Sequence, residues 1–161
     1  AGISENLLIV CDGVGVQARV NQRRSFLPEP ACYSGSIDQH NINKIDWQLV
    51  PHPTGIARYR MAATAISHPH AGIIFIGGSV NPYNYNGIGY NGKPSTADNK
   101  LWFFNFEQQQ WQLSTTPTST MDHRGLLLLN ENSLIIIGGM QKQQQVSNKV
   151  TVIRTDVLQQ R

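Results

Sequence analysis

Charge is scarce in this chain. Only 14% of its 161 residues are Asp, Glu, Lys or Arg, too few for the self-repelling composition of a disordered segment. The net charge of +3 arises from 13 Lys and Arg against 10 Asp and Glu. Its basic residues are scattered except at Arg23-Arg24 and at Arg58 and Arg60, so no basic stripe awaits a phosphate backbone and no nucleic-acid partner is expected. No apolar run reaches the roughly 18–20 residues a helix needs to cross a bilayer. No membrane anchorage is expected, and the opening residues show no charged region followed by an apolar one, so no leader is read within them, with a leader already removed as the alternative. Cysteine is nearly missing. Cys11 and Cys32 match no metal-ligand spacing; they are read as two buried free thiols on neighbouring strands, with a disulfide as the alternative.

Catalytic and metal constellations are also lacking. His68-Pro69-His70 has no third ligand at a recognisable spacing, so no metal site is expected. Asp122 and His123 are adjacent and point different ways, which argues against an acid–base dyad, and no cofactor is expected. The Gln-rich pieces at 108–110 and 143–145 are read as solvated turns.

What is present is a repeat. Trp47-Gln48-Leu49 and Trp111-Gln112-Leu113 each lead to Pro-Thr (Pro53-Thr54, Pro117-Thr118) and then to an arginine (Arg60, Arg124), all at an offset of 64. Between these markers an apolar run ends in a glycine pair, Ile73 to Gly78, and returns as Leu134 to Gly139. With 40% apolar residues the chain has the material for a packed core, and self-similarity on this scale marks a repeat protein.

Each unit runs in a fixed order. An arginine is followed by a small or apolar segment, the glycine-pair strand, a variable loop, an aromatic strand closing on an acid (Leu101 to Glu107), a short turn and the Trp. This order resembles the kelch repeat, across nearly the whole chain. The resemblance implies an all-β fold, a kelch-type β-propeller segment of about three blades of four-stranded antiparallel sheets. The blades would span about 5–53, 58–117 and 123–158 of a single domain. Labelling strands a to d outward from the hub, the first blade supplies b, c and d and the last a, b and c, so both are incomplete. Kelch rings close with roughly five to seven blades. The remaining blades are therefore expected from the same polypeptide or from a second copy. The strands at Ile73 to Ile76 and Leu134 to Ile137 are apolar on both faces, as burial between two neighbours requires. A bare end face would be an aggregation hazard.

The glycine pairs are read as structural, at a sharp turn with close backbone approach. Trp47 and Trp111 are read as wedges between blades. Ligands of kelch propellers meet the b–c loops and the residues opening strand a, which places Arg60 and Arg124 at the candidate pocket. A guanidinium there suits a carboxylate or a contact between blades. The loop after Gly78 is about twenty residues long without a strand pattern, far beyond a usual hairpin connection. Its Tyr83, Tyr85 and Tyr90 offer flat faces and its Asn81 and Asn86 paired donors and acceptors, a set that suits a sugar ring or a partner's backbone. The competing reading is that these residues only build the loop.

Two functions follow from the resemblance. The first is a non-catalytic recognition module for a protein or glycan ligand. The alternative is a sugar-acid mutarotase- or epimerase-like enzyme, or a structural domain of a larger one, for which the only acids near the arginines are Asp12 and Asp122.

Overall fold

A computed structural model describes residues 1–17, 25–68, 70–123 and 125–155. Its architecture is all-β: eleven strands in three antiparallel sheets, with one 3-10 turn at Lys142–Gln144 and no α-helix among the described residues. Sheet I joins β1 (Gly2–Ser4), β2 (Leu7–Gln17), β3 (Ser25–Ile37) and β4 (Ile45–Val50) in that order. Sheet II joins β5 (Ala62–Ile66), β6 (Gly72–Ile76), β7 (Asp98–Asn105) and β8 (Gln110–Thr120). Sheet III has β9 (Leu127–Asn130), β10 (Ser133–Ile137) and β11 (Val150–Arg154), with β10 central.

Two-residue periodicity explains why sheet II has no polar face. Alternate side chains of a strand point to opposite sides. Ile73, Phe75, Trp102 and Phe104 accordingly pack on Ile9, Cys11, Cys32 and Val50 of sheet I. Ile74, Ile76, Leu101 and Phe103 pack on Leu134, Ile136 and Ile153 of sheet III. All five residues of β6 are buried, the pattern expected of a strand covered on both sides. At roughly 1.5–3 kcal/mol per fully buried large apolar side chain, these two interfaces dominate the stabilising side of the balance. Trp111 wedges in as the sequence predicts: it packs on the first interface, and its Nε1 donates to the Pro51 carbonyl at 2.7 Å.

Sheet I differs from expectation in three ways. It has an opening strand, β1, which the repeat pattern assigns no residues. Gly2, Ile3 and Ser4 pair with Ile9, Leu8 and Leu7, and glycine suits position 2 because a Cβ there would collide with the Ile73 side chain of sheet II. Three residues of ordinary composition carry no signal; the neighbouring sheet supplies the seat. Next, β2 does not end at Asp12-Gly13. A bulge falls between Cys11 and Gly13, with Asp12 at φ 63°, and the hairpin continues as a ribbon pairing Val14 with Pro28 and Val16 with Phe26. Finally, Cys11 and Cys32 are paired opposite one another and joined in a disulfide, not left as free thiols. Their register puts both sulfurs on the face against sheet II, where the bond is buried.

Trp47 also departs from the sequence reading. It is 50% exposed, because its side chain lies on the face of sheet I turned away from sheet II, and no described residue covers that face.

The glycine pair earns its place sterically. Gly77 and Gly78 have φ of 70° and 85°, the left-handed region that side chains disfavour. A Cβ on Gly77 would overlap the Thr120 carbonyl, and one on Gly78 would lie 2.9 Å from the Tyr59 carbonyl. The turn thereby brings the end of β6 against the segments that enter β5 and β9, where the candidate site lies.

Candidate functional site

Three connections meet at one end of the sheets: the β2–β3 ribbon, the β6–β7 loop and the β10–β11 loop. The middle one is ordered by its own backbone. Asn84 N donates to Ile88 O, Gly89 N to Lys93 O and Tyr90 N to Pro82 O. On one flank Tyr90 stacks on Phe26 of the ribbon with centroids 4.1 Å apart. On the other, Gln144 Nε2 donates to the Ser95 carbonyl at 2.9 Å. Between ribbon and loop lies a cleft of about 500 Å³ lined by Phe26, Pro28, Asn81, Tyr90, Asn91 and Lys93, among others.

Arg60 sits beside this loop at the entry to β5. Its guanidinium lies 5.0 Å from the ring centres of both Tyr59 and Tyr83, within the range of cation–π attraction. Its Nη1 donates to Asp122 Oδ1 at 2.6 Å, linking the entries of sheets II and III. Arg60 and Asp122 both adopt the left-handed region, at φ 57° and 54°. Each follows a residue bridged to the position after a glycine pair, Tyr59 to Ser79 and Met121 to Met140. The backbone thus equates Arg60 with Asp122, whereas the Trp-based offset pairs it with Arg124. Non-glycine residues in this region cost on the order of 1–3 kcal/mol each, and the charge-assisted bond between the two offsets part of that. Burial works against the guanidinium's charge, but the Tyr59 hydroxyl and the Asp122 carboxylate outweigh it and raise the pKa above the ordinary arginine value.

The residues singled out in the sequence separate into groups. Tyr83 is fully buried, contrary to the exposed ring expected of it. It packs edge-on to Tyr59 at 5.3 Å within a cluster of Ala97, Met121 and Met140. Its hydroxyl has no hydrogen-bond partner, and burial, with Asp122 next, pushes the phenol well above its usual pKa. Asn81 and Asn86 are engaged inside the loop: Asn81 Nδ2 donates to Asn91 Oδ1 and to Lys93 O, and Asn86 Oδ1 accepts from Ile88 N. Tyr85 is 87% exposed, while Tyr90 is 38% exposed and lines the cleft. Burial, with the neighbouring Tyr59 hydroxyl next, raises the Tyr90 pKa. Arg124 lies outside the described residues.

The sequence left several partners unnamed. Phe26 and Pro28 reach the cleft because the ribbon runs past the bulge, a continuation hinted at only by the alternation Val14-Gly15-Val16. Behind the site, Arg58 Nε donates to Asp98 Oδ2 at 2.9 Å, and its guanidinium covers Trp102 at 4.6 Å. His52 Nε2 donates to Asp12 Oδ1 at 2.7 Å while its Nδ1 accepts from Gly55 N. Asp12 also accepts from Arg58 N at 2.6 Å. These contacts fix the crossover from sheet I to sheet II. Among the described residues no group of His, Cys, Asp or Glu is arranged to hold a metal ion.

His123 lies under the glycine turn, with Nε2 against Thr120 Oγ1 at 3.0 Å and Nδ1 unpartnered. Burial lowers its pKa from 6.5, against an opposing pull from its own backbone and Asp122. Below pH 6.5 the unfolded chain therefore takes up the proton first. The stability contribution is complete above 6.5 and is lost as pH falls towards the depressed folded value. Chemical denaturation between pH 7.5 and 5 is expected to show declining stability, and His123→Gln is expected to flatten that decline. An unchanged slope in the variant refutes this assignment.

No protein-family model matches this chain, and no curated protein matches it. Among solved structures, that of YjhT superposes with a TM-score of 0.61 at 16% identity, over 94% of this chain and 43% of the other. The likeness shows a shared fold. This chain spans less than half the length of that structure.

Proposed function

We propose that the chain is a segment of a kelch-type β-propeller, each sheet a blade, and that it recognises a protein or carbohydrate ligand without transforming it. The propeller reading draws on the order of glycine pair, aromatic strand, Trp and Arg in the sequence, and on three antiparallel sheets packed face to face in chain order.

One observation carries the binding function: the cleft of about 500 Å³ in which Phe26, Tyr90 and prolines surround Asn91 and Lys93. Clefts of this size that combine flat apolar walls with a few polar groups are where ligands are usually held. Tyr90 offers a ring, and Asn91 and Lys93 offer donors for hydroxyl or carbonyl oxygens.

The test is a glycan and peptide array followed by calorimetry on the strongest hit. Tyr90→Ala is expected to weaken binding at least ~10-fold, about 1.4 kcal/mol, with the control Lys44→Ala unchanged. Equal affinity of the Tyr90 variant removes the cleft from consideration.

The alternative, a sugar-acid mutarotase or epimerase, draws on Asp122 beside Arg60. It is the weaker reading because Asp122 already counters the guanidinium that would hold the sugar carboxylate. Accelerated interconversion of sugar-acid anomers in an NMR exchange experiment, abolished by Asp122→Asn, would reverse this preference.

A further inference from the structure

Asparagine is followed by glycine twice in this chain, at Asn86-Gly87 and Asn91-Gly92, and both pairs fall in the β6–β7 loop. Glycine has no Cβ to shield its amide nitrogen, so that nitrogen can reach the side-chain amide carbon of the preceding asparagine. The backbone makes the two pairs equivalent. Gly87 N donates to Asn84 O at 3.0 Å and Gly92 N to Gly89 O at 2.8 Å, each closing a four-residue turn with asparagine third and glycine fourth. The two glycines have φ of 76° and 79°.

Their surroundings separate them. Asn91 Oδ1 accepts two hydrogen bonds, from Lys93 N at 3.0 Å and from Asn81 Nδ2 at 3.2 Å. The two asparagines meet because residue 89 is glycine: a Cβ there would collide with both side chains. Asn86 Oδ1 accepts from Ile88 N at 3.1 Å and from no other described group. Two donors on a carbonyl oxygen polarise its carbon and stabilise the negative charge that the oxygen gains under attack. Room differs as well. Gly87 is buried, and a Cβ on it would lie 2.6 Å from both Met140 Sδ and Gln144 Cγ. Gly92 is exposed, and a Cβ on it would meet nothing within 4 Å. A product that lengthens or bends the main chain is therefore resisted by packing at 87 and free to form at 92.

We propose that Asn91 is a self-modifying site, at which the loop converts its own amide to a carboxylate, while Asn86 in the equivalent turn is protected. The Gly92 amide nitrogen gives its proton to water or hydroxide and attacks Asn91 Cγ. The N–Cγ bond forms, the Cγ–Nδ2 bond breaks, and Nδ2 takes up a proton and leaves as ammonia. Water then opens the cyclic imide at Cγ to give aspartate, or at the main-chain carbonyl carbon of residue 91 to give isoaspartate. One water is consumed and one ammonia released, with no change of oxidation state. A carboxyl is ionised at neutral pH, so the product adds a negative charge to the wall of the cleft that Asn91 shares with Lys93.

Peptide mapping by mass spectrometry, after incubation of the folded protein in warm, mildly alkaline buffer, reads both sites at once. Asn91 is expected to convert at least ~10-fold faster than Asn86, less than the ~100-fold that one donor to a developing oxyanion can supply. In urea, where both dipeptides lose their surroundings, the two rates are expected to converge. Asn81→Ala removes one donor and is expected to slow Asn91 towards the rate of Asn86, with an unchanged circular dichroism spectrum. Equal rates in the folded protein, or faster conversion of Asn86, overturn the proposal. So does faster conversion of Asn91 in the Asn81 variant, which would mean that the two bonds restrain the amide rather than activate it. Ligand binding enters none of these readouts, so their failure leaves recognition at the cleft untouched.

Discussion

Tyr83→Ala is expected to cost about 3–5 kcal/mol of unfolding free energy, the range for removing a large buried aromatic, whereas Tyr85→Ala is expected to change it by less than ~0.5 kcal/mol. The two residues are neighbours in one loop and equivalent in composition. They differ in that Tyr83 is fully buried against Tyr59 and Arg60 while Tyr85 is 87% exposed. Tyr83 is the plug that seats the β6–β7 loop on the segments entering sheets II and III. Because its hydroxyl has no partner, Tyr83→Phe is expected to be close to neutral: it removes a buried polar group without stranding another. Urea denaturation at one protein concentration measures all three. A Tyr83→Ala loss below ~1 kcal/mol would show that the side chain is not a core residue.

Trp102→Ala is expected to be at least as severe, again about 3–5 kcal/mol. Trp102 is 2% exposed at the interface of sheets I and II. The His52 ring stands nearly perpendicular to it with ring centres 5.3 Å apart, and Arg58 covers it at 4.6 Å. Truncation opens a cavity and also leaves the Arg58 guanidinium, one of whose Nη atoms is already unpartnered, without the ring it rests on. Trp102→Phe keeps most of the packing and is expected to cost less than half as much. Loss of near-ultraviolet ellipticity in the alanine variant, with far-ultraviolet signal retained, would locate the damage in packing between the sheets. Equal stability of Trp102→Ala and wild type would contradict the two-sided burial of sheet II.

How much of this was legible depended on which residues carried a local signal. The strand of Ile73 to Ile76 announces its burial on both faces because it contains no polar residue at either parity, and the left-handed turn after it favours glycine by its backbone geometry. Trp111 was readable as a wedge for the same reason: its repeat position recurs. Trp47 occupies the same position yet is half exposed, since its side chain lies on the face of sheet I turned away from sheet II, which no described residue covers. At the site, Arg60 and the long loop were found from the sequence, but Tyr83 and Tyr90 look alike there. One is core and the other lines the cleft, and only the path of the loop separates them.

Periodicity, turn chemistry and the internal repeat by themselves determined the fold class, the central sheet with two covered faces and the glycine turns, because each acts within a few residues along the chain. The tertiary structure alone decided the rest. It added β1, which exists only because sheet II offers it a seat. It carried β2 past the Asp12 bulge to bring Phe26 and Pro28 to the cleft, and it joined Cys11 to Cys32 where strand register set them opposite. It also paired Arg60 with Asp122 across two sheets. Each of these is a contact between residues distant in sequence, formed because the sheets stack on a shared apolar core, and no local pattern encodes which partner that stacking will deliver.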